Sequence, residues 1–175
     1  MSRGSGRPLA VAALALALAG LLAVDPARAT APIDSDALTK ADLVVVRKGE
    51  RRLDLMRDGT VLDSFPVRLG RVPLGPKQAA GDGRTPEGRY VIDGRLTDSR
   101  FYRALRVSYP SPEDIARAHA LGVEPGDSVM VHGQVNEWPW VIRYDWTEGC
   151  IALSNDDMDA IWQAVDDGTP IIILP

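Results

Sequence analysis

The stretch RRLDLMRDGTVLDSFPVRLG, Arg51 to Gly70, decides the fold class. Leu53 and Leu55 alternate with polar residues, and Val61, Phe65, Val67 and Leu69 keep the same period on the far side of Asp58-Gly59. A period of two is that of a half-buried strand. Asp-Gly between two such runs predicts a tight hairpin, because both turn residues must accept positive φ. Pro66 cannot donate to a ladder, so it confines the second strand to an edge or a bulge.

Working outward, DLVVVR (Asp42–Arg47) is a β-branched run and reads as a strand. Gly75 to Arg89, GPKQAAGDGRTPEGR, has no apolar period and reads as a loop. It lacks the Gly-Lys-Ser/Thr ending of a phosphate-binding loop. YVI, ALRVSY, VIRY and CIAL are further strand segments, and SVMVHG is a strand that ends at His132. SPEDIARAHALG predicts a short helix with Ser111 as its cap, Pro112 in its first turn and Gly122 past its end. In SNDDMDAIWQAVDDG, Met158, Ile161, Trp162 and Val165 recur at helical spacing, Ser154 caps, and Gly168 and Pro170 stop the chain. The closing PIIILP is apolar enough for a strand covered on both faces. About eight strands and two short helices make a mainly β domain.

The N-terminus reads as an address. Arg3 and Arg7 precede the apolar run Leu9–Val24, and Ala27-Arg28-Ala29 follows it. A basic start, a short apolar core and an A-x-A site predict a secretory signal peptide over residues 1–29. The run is shorter than the roughly 20 residues of a spanning helix, so no stable membrane anchor is expected after cleavage. Residues 30–41 read as a tether and 42–175 as one catalytic-sized domain. The net charge of −4 comes with no basic cluster, which argues against a nucleic-acid surface.

An exported chain with one cysteine has no internal disulfide, and Cys150 is that cysteine. As a bland residue it is a small buried hydrophobe. As a nucleophile it needs a base, since a free thiol has a pKa of about 8.5. His132 lies at the end of one predicted strand, and Cys150 begins another after an excursion. If those strands are neighbours, imidazole and thiol meet at one end of a sheet. Gly133 would let substrate approach the backbone, and Gly149 would allow a sharp turn whose N–H groups hold an oxyanion. One cysteine and two histidines are too few for a zinc site, and no metal or cofactor is expected.

His-Gly, fourteen residues from Gly133 to Trp146, then Thr147-Glu148-Gly149-Cys150-Ile151 resembles the active-site signature of the L,D-transpeptidase (YkuD-domain) family. GDGRTPEGRYVI (Gly81–Ile92) resembles the family's GDxxTPxGxY segment, and SYPSPEDIARAHALGVEPGDSVMVHG resembles its approach to the catalytic histidine. The resemblance runs over residues 42–175, and its DWTxGC form is similar to the murein L,D-transpeptidase-like branch.

The resemblance implies a mixed β-sandwich or barrel-like domain with two short helices. It implies acyl transfer on peptidoglycan stem peptides through a thioester on Cys150, with His132 as base. Thr147 would orient the site, and the N–H groups of Gly149 and Cys150 would be the oxyanion donors. The acceptor would be another stem, a lipoprotein lysine, a D-amino acid, or water in a hydrolase that releases peptidoglycan-linked lipoprotein. The location would be the periplasm or cell wall. A wall-binding module with an inert cysteine is the alternative from another class. Two positions depart from the common signature: Glu148 replaces a histidine, and Ala152 an arginine or asparagine. Gly133, Trp146 and Arg143 are assigned to substrate binding, Arg143 as a replacement cation. Trp138 and Trp140 either wall a groove or fill a core. His119 reads as a structural or surface histidine, and Asp82 and Glu87 as loop charges.

Overall fold

The computed structural model describes residues 39–137, 140 and 143–175. The predicted signal peptide, and the tether up to residue 38, lie outside the described residues. Eight strands and two helices follow in the order β1 (Leu43–Arg47), β2 (Arg52–Arg57), β3 (Thr60–Pro66), β4 (Gly88–Ser99), β5 (Tyr102–Val107), α1 (Pro112–Ala120), β6 (Met130–His132), β7 (Ile151–Ala152), α2 (Asn155–Ala164) and β8 (Pro170–Leu174). The strands form one mixed sheet in the order β3-β2-β1-β8-β4-β5-β6-β7. Pairing is antiparallel except for β1 with β8 and β6 with β7.

The hairpin forms where its turn chemistry places it. Asp58 and Gly59 have φ of 50° and 75°, the left-handed pair that a two-residue turn requires. β3 is an edge strand and ends at Pro66, as a residue without an N–H dictates. Beyond Pro66 the chain crosses to the opposite end of the sheet. Arg68 and Ala152 exchange two backbone hydrogen bonds of 2.8 Å, and Gly70 bridges Thr147. That crossing brings β3's extension beside β7 and makes the sheet barrel-like. The enclosed core includes Val44, Val46, Leu53, Leu69, Ile92, Val131, Ile151, Met158, Ile161 and Ile171.

Three expectations change. α2 ends at Ala164, short of Gly168, because Val165 turns extended at φ −109° and ψ 126° to bury its side chain in the core. β8 is central but not equally covered: Ile171 and Ile173 are buried, while Ile172 and Leu174 are partly exposed. Of VIRY, Val141 and Ile142 lie outside the described residues, and Arg143 and Tyr144 are not in a strand. α1 begins as expected, with Ser111 and Asp114 forming a reciprocal capping box. Asp114 is buried and also accepts from Tyr90 Oη at 2.8 Å, which ties the helix to β4.

Candidate active site

β6 ends at His132 and runs parallel to β7, with Val131 opposite Ile151 and His132 opposite Ala152. Val131 and Ile151 are buried in the core. Strand alternation then sends His132, and Cys150 just before β7, to the other face. Both line one cavity of about 380 Å³, together with Phe101, Trp146 and Thr147. The predicted neighbouring of the two strands is thus what joins the histidine to the cysteine.

His132 is 2% exposed. Its ring stacks on Phe101 at 4.5 Å and meets the edge of Trp146 at 5.7 Å. Nδ1 lies 2.7 Å from the Gly133 carbonyl oxygen. A carbonyl only accepts, so Nδ1 carries the proton and Nε2 keeps its lone pair. Burial lowers the imidazole pKa to about 4, against a smaller opposite effect of the Gly133 hydrogen bond. At neutral pH the ring is therefore an uncharged base. The Cys150 sulfur lies 3.6 Å from the Ser128 carbonyl oxygen, a contact in which the thiol donates. Burial raises the thiol pKa, and the Met130 N–H and the Lys77 charge oppose that rise. The arrangement favours a neutral thiol and a neutral imidazole at rest.

Thr147 fixes the turn before the thiol. Its Oγ1 donates to the Cys150 carbonyl at 2.7 Å and accepts the Gly149 N–H at 3.2 Å. The Gly149 N–H, expected to hold an oxyanion, is engaged within the turn. Gly149 has φ of +136°, and a Cβ there would lie 2.6 Å from the Arg84 carbonyl oxygen. Only glycine fits. Gly133 lines neither cavity at Cys150, and a Cβ there would lie 2.6 Å from Asn155 Oδ1 and 2.9 Å from Tyr102 Cβ. Close packing thus accounts for the lack of a side chain at this position.

Trp146 lines the His132 cavity, and its buried Nε1–H has no partner among the described residues. Arg143 is exposed and lines neither cavity. Trp140 is 63% exposed, and Trp138 lies outside the described residues. Glu148 pairs with Arg71 at 2.6 Å on the surface. Ala152, where the common signature has an arginine or asparagine, is fully buried. His119 is on the exposed side of α1, as read.

Two acidic residues inside the quoted motifs have structural partners that the sequence did not announce. Asp145 accepts from the Leu69 N–H at 2.9 Å and pairs with Arg51 at 2.8 Å, so it anchors the DWTEG turn to the hairpin. Asp82, read as a loop charge, accepts the N–H groups of Gln78, Ala79 and Arg84 and pairs with Lys77. A second cavity of about 290 Å³ also reaches Cys150 and is lined by Lys77, Gly126, Ser128 and Gly149.

The model of the L,D-transpeptidase catalytic domain, YkuD, matches residues 41–173. YafK of Escherichia coli K12, a candidate L,D-transpeptidase, is 34% identical over 128 residues, 70% of this chain and 46% of YafK. YqjB of Bacillus subtilis 168, named in the same way, is 24% identical over 146 residues, 81% of this chain and 76% of YqjB. The solved structure of Pgp2, a helical cell shape determining protein of Campylobacter jejuni, superposes with a TM-score of 0.60 at 23% identity, over 75% of this chain and 46% of Pgp2. An L,D-transpeptidase of Mycobacterium smegmatis superposes with a TM-score of 0.51 at 21% identity, over 76% of this chain and 58% of that one. At such identities the superpositions speak for the fold, mostly β with one mixed sheet. The chain spans about half the length of YafK.

Proposed function

This chain belongs to the YkuD L,D-transpeptidase catalytic-domain family, and from that premise we propose that it is a cysteine acyltransferase acting on peptidoglycan stem peptides. The observation that carries the reading is the shared cavity of Cys150 and a buried, neutral His132 whose Nε2 is free to take a proton. Cys150 Sγ attacks the carbonyl carbon of the L-centre of diaminopimelate, and its proton passes to His132 Nε2. The oxyanion is held by the N–H of Cys150. Collapse breaks the amide bond, the departing amine takes the proton from His132, and an acyl-thioester remains on Cys150. An acceptor amine then attacks the thioester, gives its proton to His132, and frees the thiol. Water in the acceptor's place gives a hydrolase with the same intermediate.

The N-terminal segment supports a location outside the cytoplasm, in the periplasm at the cell wall. No helix among the described residues is long and apolar enough to cross a membrane. The partners proposed are stem peptides and, as one acceptor or one substrate, a peptidoglycan-linked lipoprotein.

Mass spectrometry of muropeptides tests this. Purified sacculi, with and without bound lipoprotein, are incubated with the protein and with Cys150→Ala. New crosslinks or exchanged D-amino acids that require Cys150 are the expected products. Trimmed stems or freed lipoprotein would give the second step to water. Muropeptides left unchanged by the wild-type protein would favour the wall-binding module instead.

A further inference from the structure

Two lysines are buried beside the Gly75–Arg89 loop, and their surroundings differ. Lys48 spends its ammonium on the carbonyls of Gly75 and Thr85 and on Glu87, at 2.6, 2.9 and 2.8 Å. Those contacts clamp the loop. Lys77 is only 4% exposed, yet among the described residues Asp82 is the one hydrogen-bonding partner of its ammonium, at 2.8 Å. An ammonium has three donors, so Lys77 has capacity that the loop does not use.

The geometry directs that capacity toward the nucleophile. Lys77 lines the 290 Å³ cavity that reaches Cys150, and Asp82 does not. A Cβ on Gly149 would lie 3.7 Å from Lys77 Nζ, and one on Gly126 3.4 Å from Lys77 Cε. Two residues without side chains thus flank the lysine end where it lines the cavity. Asp82 pairs with Lys77 from the loop side, where its carboxylate also accepts three peptide N–H groups. The other charges at this cavity are the carboxylates of Asp127 and Glu148, both exposed to water, with Glu148 already paired to Arg71. The cavity therefore has a cation in its wall and screened anions at its rim.

We propose that Lys77 is a specificity-determining residue of the Cys150 site, which draws a carboxylate-bearing peptide group into this second cavity. The inference rests on the acyl-transfer reading of Cys150 and adds to it the charge of the group that is selected. A buried cation with an open donor binds a carboxylate more strongly than a solvated surface lysine does.

The test is competitive alkylation of Cys150 in the full chain with iodoacetate and with iodoacetamide. In both reactions the sulfur forms a bond to the methylene carbon, iodide leaves with the bonding electrons, and the thiol proton goes to His132 or solvent. The probes differ in one carboxylate. The iodoacetamide rate alone reports on the reactivity of Cys150. The iodoacetate-to-iodoacetamide ratio reports on Lys77. The ratio is expected to fall about fivefold or more in Lys77→Met, the factor equivalent to ~1 kcal/mol of charge attraction. It should be restored in Lys77→Arg and should decrease with added salt in the wild type. Circular dichroism checks folding, and if Lys77→Met is unfolded, Lys77→Met/Asp82→Asn reads the same ratio without an unpaired carboxylate. A ratio unchanged in the folded variant, even with both rates lowered together, overturns the proposal.

Discussion

Cys150 and His132 illustrate how a residue pair becomes a site through burial as well as proximity. The imidazole is held at a pKa of about 4 and the thiol above its ordinary value, both because burial disfavours charge. The sign of each shift removes the standing thiolate–imidazolium pair at neutral pH. The Cys150 alkylation rate with iodoacetamide should therefore rise through the imidazole pKa of about 4, level off while neutral His132 acts as base, and rise again only at alkaline pH as the thiol itself ionises. His132→Ala should slow alkylation at pH 7 by about tenfold or more, the scale of general-base assistance. A rate that already reaches its full alkaline value below pH 6 would contradict the neutral resting pair. This pair was legible in the sequence because the spacing, the two glycines and the unpaired cysteine all point one way. Lys77 and Phe101 were not legible, nor were the partners of Asp82 and Asp145, although both acids stand in the quoted motifs. Loop charges and single aromatics carry no period, and their partners come from distant segments.

Among the elements, those with local chemistry were readable and those set by packing were not. The Asp58-Gly59 hairpin and the Ser111 cap follow from backbone conformation and nearby hydrogen bonds. The early end of α2 follows from where Val165 must pack, which no local signal contains. The Gly75–Arg89 loop has no secondary structure of its own, and Lys48 beneath it supplies its attachment. Lys48→Met would leave the Glu87 carboxylate, 17% exposed, and two carbonyls without their cation. Breaking a buried pair in this way costs about 3 kcal/mol. Urea denaturation should show a lower midpoint at an unchanged slope. Unchanged stability would mean that the loop is held by its other contacts.

For the whole molecule, the sheet's two ends meet next to Cys150. The crossing of Arg68 to Ala152 and of Gly70 to Thr147 places the hairpin's extension against the turn that presents Cys150. Single bridges leave no strand signature, so the barrel-like closure came from the family resemblance and not from periodicity. Asp145 joins the same parts, through Leu69 and through Arg51, whose side chains are 17% and 30% exposed for Asp145 and Arg51. Asp145→Asn weakens this part-buried pair and should cost about 1–2 kcal/mol. It should also lower Cys150 reactivity toward iodoacetamide more than its stability loss alone explains, because the turn loses its link to the hairpin. Equal reactivity in folded wild-type and variant protein would separate that link from the chemistry.

The central claim is a covalent intermediate on Cys150, and the direct measurement is the intact mass of the protein during incubation with soluble stem-peptide fragments. The expected result is an added mass equal to the stem peptide less its expelled residue, located on Cys150, removed by hydroxylamine, and absent from Cys150→Ala. Turnover of the fragments by Cys150→Ala at the wild-type rate, with no adduct on either protein, would contradict it.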